Sequence, residues 1–161
     1  MQIKILNKGN RNQLICERRD GGVEITDLGP TLPFHDIAHF IVERQLKLKR
    51  GFYGNIYIGY SVKQLSDKNT IRTLPIQSAV AEITTRALQS LGAGACTIEQ
   101  FSRLINEEFE LYSIHFELDL DKKRISHMLS DYNKITSQWE QLKEGDCLEL
   151  KLETDDFTET E

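Results

Sequence analysis

The chain has no apolar run long enough to cross a bilayer, so the sequence predicts no membrane partner. It has three cysteines, Cys16, Cys96 and Cys147, dispersed and without a CxxC pair. An odd, scattered set excludes a zinc ribbon and a disulfide framework, and it reads as reduced thiols in a cytoplasmic protein. With three prolines in 161 residues there is no proline-rich linker. Residues 1–153 therefore read as one domain, followed by an acidic mobile tail over 154–161 that has no core residue except Phe157. Basic residues are also in deficit, 20 Lys and Arg against 25 Asp and Glu. That balance excludes nucleic acid as the main partner, because phosphate binding needs a basic surface. The short runs at 47–50 and 122–124 read as solvated helix ends. Residues 92–95, Gly-Ala-Gly-Ala, lack the lysine of a phosphate loop and read as a helix terminus.

The first thirty residues carry the alternation of strands. Ile3 and Ile5 alternate with Gln2 and Lys4, Leu14 and Cys16 share one face, and Val23 and Ile25 are separated by Glu24. Polar residues 7–12 and the Asp20-Gly21-Gly22 turn join them into an antiparallel meander with one face covered. The start at Met1 thus reads as a strand, not a signal peptide. Helical spacing predicts a helix over 33–48, a short buried one over 52–60, and further helices over 75–91, from the capping box at Thr97, and from Asp121. Residues 66–73 read as a polar loop. Leu148, Leu150 and Leu152 alternate with Glu149 and Lys151, a closing strand expected to join the meander and to bring Cys147 near Cys16. The expected fold class is α+β, a small antiparallel sheet packed against four or five helices.

Only four histidines are present, and two of them stand one helical turn apart, at His35 and His39. That spacing stacks both imidazoles on one helix face, close enough to share a metal ion. On a helical wheel they fall about 40° apart at the edge of the apolar stripe, where a ligand is held firmly yet reached. Two imidazoles do not complete a site. Glu43 continues the same row, but it lies about 12 Å from His35 along the axis. It is therefore a candidate ligand, or the group that accepts the second ring N–H of His39. Asp36 could ligate from a distorted first turn or orient a ring. Glu82 is the leading candidate from another helix, because it interrupts the apolar run Ala79-Val80-Ala81 and Ile83; His115 and His127 are further options. Asp in place of Glu in this HDxxH segment argues against the zincin protease pattern.

The run from Leu32 to Glu43, followed by Arg50-Gly51-Phe52-Tyr53-Gly54, resembles a group of small uncharacterised bacterial proteins. These share a β-rich start, an HDxxHxxxE helix, a GFxG turn and a tryptophan before a closing strand, here Trp139 and residues 148–152. The resemblance spans most of the chain and implies no particular activity. A shorter stretch is similar to the HDxxH zinc motif of the ubiquinone-biosynthesis family. That motif has a glutamate twelve residues after the second histidine, where this chain has Gly51, so only His35, Asp36 and His39 carry over. The likeness implies a metal and not quinone chemistry.

The functional expectation is a metal-binding domain with a divalent ion as cofactor. Zinc is the default for imidazole and carboxylate ligands, with iron and manganese also suited. Such an ion would serve a hydrolase or lyase. The alternative is a metal-free structural or protein-interaction domain. Its histidines would be hydrogen-bonded core residues, and its partner, protein or small molecule, would bind near Tyr53, Tyr57 and Tyr60.

Overall fold

A computed structural model describes residues 1–154. Three strands open the chain, β1 (Gln2–Leu6), β2 (Asn12–Glu17) and β3 (Val23–Leu28). The last strand, β4 (Cys147–Lys151), pairs antiparallel with β1, giving the order β3-β2-β1-β4. The chain start is tied to the last described residues: the Met1 amino group donates to the Leu152 carbonyl at 2.8 Å. Thr154, expected in a mobile tail, is buried; the rest of that tail, 155–161, lies outside the described residues.

Among the described residues seven helices follow the meander in this α+β fold. α1 (Leu32–Leu46) has Pro33 in its first turn, where a missing amide hydrogen is harmless. It ends at Lys47, which takes the left-handed conformation (φ 53°). α1 is buried nearly all round: Ile37, Ala38, Phe40, Ile41 and Val42 are at most 2% exposed. It packs against α5 (Ile76–Gly92) and α7 (Lys122–Gln141), and it shares one continuous core with Ile3, Ile5 and Leu14 of the sheet. α6 (Ile98–Leu111) starts at Thr97 with both hydrogen bonds of the capping box in place, and α7 starts at Asp121, whose side chain accepts from the Arg124 amide.

Between α1 and α5 lie α2 (Phe52–Tyr57), α3 (Val62–Leu65) and α4 (Lys68–Ile71). The polar loop expected at 66–73 is thus partly helical. Asp67 caps α4 by accepting from the Asn69 and Thr70 amides, a local bond that supports one turn without an apolar stripe. The preceding α3 has a capping box between Ser61 and Gln64.

β3 departs from its apolar pattern. Val23 and Ile25 are 52% and 57% exposed, and Glu24 and Thr26 face the helices instead. The register dictates this. Glu24 stands opposite Cys16 and Thr26 opposite Leu14, and paired residues share a face, which here is the core face. Glu24 is used there, accepting from the Val62 amide at the start of α3 (2.8 Å). The register also separates Cys16 from Cys147. Cys16 pairs with buried Ile3, whereas Cys147 pairs with Leu6 on the opposite face, one strand further away. Both are free thiols, and burial pushes the Cys16 thiol far above its ordinary pKa.

Candidate metal centre

α1 and α5 run antiparallel at their contact, so the earlier histidine of α1 meets the later part of α5. His39 Nε2 lies 3.1 Å from Glu82 Oε2, and His35 Nε2 lies 3.7 Å from the same oxygen. The rings of His35 and His39 meet edge to face, 4.7 Å between centroids. Donor atoms of His35, His39 and Glu82 all fall within 4.8 Å of one another. A tetrahedral zinc with bonds of about 2.0–2.1 Å places its donors about 3.3 Å apart, so small side-chain rotations close this set around one ion.

The opposite edge of each ring is backed by a polar group. His35 Nδ1 sits 2.9 Å from Gln89 Oε1, a carbonyl oxygen that accepts from the ring N–H. His39 Nδ1 lies 3.4 Å from Glu43 Oε1, outside hydrogen-bonding geometry. Glu43 itself is buried and held from the other side. Its Oε1 accepts from the Tyr53 amide (3.2 Å) and its Oε2 from the Gly54 amide (3.0 Å), at the start of α2. Gly51 and Gly54 make this approach possible. A Cβ on Gly51 would collide with the Glu43 carboxyl, and one on Gly54 with the Lys49 carbonyl oxygen.

Burial opposes a proton on His39, but the Glu43 and Glu82 carboxylates on either side of the ring outweigh it and raise its pKa from 6.5 to about 9. His35 and His39 together hold the Glu82 carboxyl far below the usual range, against its partial burial. A cation bound here would replace the imidazolium proton.

Of the residues singled out from sequence, His35, His39 and Glu82 come together. Glu43 stands behind His39, and Asp36 is outside the donor group. α1 begins at Leu32, so Asp36 falls in the second turn, 4% exposed, with Oδ2 lacking any partner. Burial raises its pKa from 3.8 to about 6, partly offset by His39 and His35. His127 instead approaches Asp131. Tyr53 is fully buried and donates its hydroxyl to the Asp36 carbonyl (3.2 Å). Gln89 escaped the sequence reading. The signal was its place seven residues after Glu82, on the same stripe of α5.

His35, His39, Asp36 and Glu82 form part of the wall of a cavity of about 1000 Å³. β3, α2, the α3–α4 segment, further residues of α1 and α5, and the stretch after α6 line the rest. None of Tyr53, Tyr57 and Tyr60 lines it; α2 contributes Phe52 and Asn55. Among the described residues no helix is long and apolar enough to cross a membrane. No protein-family model matches the chain, and neither does any curated protein or solved structure.

Proposed function

We propose that the chain binds one divalent metal ion through His35, His39 and Glu82, zinc by default, and acts on a small molecule in the adjoining cavity by hydrolytic or lyase-type chemistry. The observation that carries this reading is the convergence of two imidazole nitrogens and a carboxylate oxygen within 4.8 Å on a cavity wall. Three protein ligands with a free side toward a cavity are the arrangement of catalytic zinc sites, whereas structural sites enclose the ion with four. Gln89, bonded to the far edge of the His35 ring, corresponds to the outer partners that orient metal-bound imidazoles, and Glu43 stands 3.4 Å behind His39 in the equivalent place. When bound, such an ion polarises a substrate oxygen or lowers the pKa of a water. Iron and manganese suit the same donors.

The test is elemental analysis of untagged protein beside the His35→Ala/His39→Ala double variant. A near-stoichiometric metal that the variant loses supports the reading. No metal, and none taken up on dialysis against zinc, iron or manganese, refutes it. A second reading, a metal-free interaction domain, draws on the fact that His39 and Glu82 already satisfy one another, as do His35 and Gln89. It predicts no change in stability on chelation.

A further inference from the structure

Among the described residues, large hydrophobic side chains stand exposed at eight positions, and four of these, Leu32, Ile71, Ile76 and Tyr112, line the cavity that holds the histidine–glutamate group. They come from α1, α4, the start of α5 and the residue after α6, so four separate elements converge on one apolar wall. Scattered exposed hydrophobics are ordinary, but concentration on the wall of one cavity marks a binding surface. Two of the exposed charged groups of the wall already have partners. Arg86 pairs with Glu82 and Glu108, and Asp27 faces Arg11 and accepts from Gln13. Lys63, exposed on α3, stands at the rim. The volume, about 1000 Å³, is at the upper end of small-molecule pockets and far beyond what water or a small anion needs.

We infer that the substrate is a small amphiphile: an uncharged aliphatic or aromatic body seated on the Leu32, Ile71, Ile76 and Tyr112 wall, with one oxygen-bearing acyl head directed at His35, His39 and Glu82. This names the substrate class of the proposed metal site and rests on that reading for the head group alone. The body is recognised by area removed from water, so affinity rises with chain length at a constant head.

Two measurements separate the parts. Calorimetry on zinc-loaded protein compares acetohydroxamate with octanohydroxamate, which share a metal-binding head and differ only in the body. The longer compound is expected to bind at least ten times more tightly. An Ile71→Asp/Ile76→Asp variant, altered at two half-exposed positions, is expected to abolish that preference while retaining zinc. Equal affinity for the two compounds, or a preference the variant keeps, overturns the amphiphile inference and leaves the metal reading standing. Failure to load zinc overturns the metal reading instead. In that case anilinonaphthalene sulfonate fluorescence on the metal-free protein decides the apolar wall. Saturable one-to-one binding, weakened tenfold in the variant, supports it, and its absence overturns it.

Discussion

Glu82 Oε2 stands 3.1 Å from His39 Nε2, although 43 positions separate the two residues. The contact joins α1 to α5 through a side chain that is half exposed, so little of the core depends on it. Glu82→Gln keeps a neutral hydrogen-bond partner for His39 and removes the anionic ligand. We expect it to fold with a Tm near that of the parent and to weaken zinc binding at least a hundredfold, read by competition with a chromophoric chelator. Unchanged affinity would remove Glu82 from the ligand set.

Glu43 plays a different part. Its two oxygens are the acceptors for the Tyr53 and Gly54 amides, both buried. Glu43→Ala leaves two buried donors unpaired, at about 1–3 kcal/mol each. The expected result is a loss of about 2–5 kcal/mol in urea unfolding of the metal-free protein, with Glu43→Gln losing less because it retains one acceptor. In the zinc-loaded protein Glu43→Gln should weaken affinity by about 10–100-fold, the effect of removing a partner behind a metal-bound imidazole.

The sheet and the long helices were legible because their signals are local. Alternation marks β1 and β4, the capping box at Thr97 marks α6, and spacing puts His35 and His39 on one face. Glu82 was legible as a carboxyl interrupting an apolar helical run. What local signals do not carry is register and depth. Val23 and Ile25 of β3 turn outward because pairing to β2 assigns Glu24, Thr26 and Leu28 to the core face. Glu43 shares a row with the histidines, yet the α2 amides that claim it arrive from a turn whose approach no periodicity encodes. Phe52, Tyr53 and Tyr57 fit one helical stripe by spacing, yet only the packing of α2 against α1 decides that Phe52, not either tyrosine, reaches the cavity.

Gly54 tests that approach directly. A methyl group there would collide with the backbone oxygen of Lys49, which cannot rotate aside as a side chain could. Gly54→Ala should destabilise by about 1–3 kcal/mol through overpacking, despite the better helix propensity of alanine. Gly59, whose φ is +110° and whose Cβ direction is open, is strained by substitution for a different reason. Equal urea midpoints for Gly54→Ala and the parent would show that α2 can shift without cost.

Asp36 sets the sign of a pH dependence. Its carboxyl is buried, Oδ2 has no partner, and burial raises its pKa from 3.8 to about 6. In the metal-free protein the native state therefore binds a proton that the unfolded chain releases between these two values. Stability from this group is fully present below pH 3.8 and is lost as pH rises through about 6. Two pKa units correspond to about 3 kcal/mol, an order-of-magnitude figure for the buried charge at neutral pH. Asp36→Asn has nearly the same shape and no charge to bury. Measured in chelator, its stability relative to the parent should rise between pH 4 and pH 7 by about 2–3 kcal/mol and stay level above that. The difference between two urea-unfolding series cancels what the two proteins share and leaves the Asp36 carboxyl together with its coupling to His39 and His35. A flat difference curve would mean that the Asp36 carboxyl keeps an ordinary pKa and is solvated in the folded state.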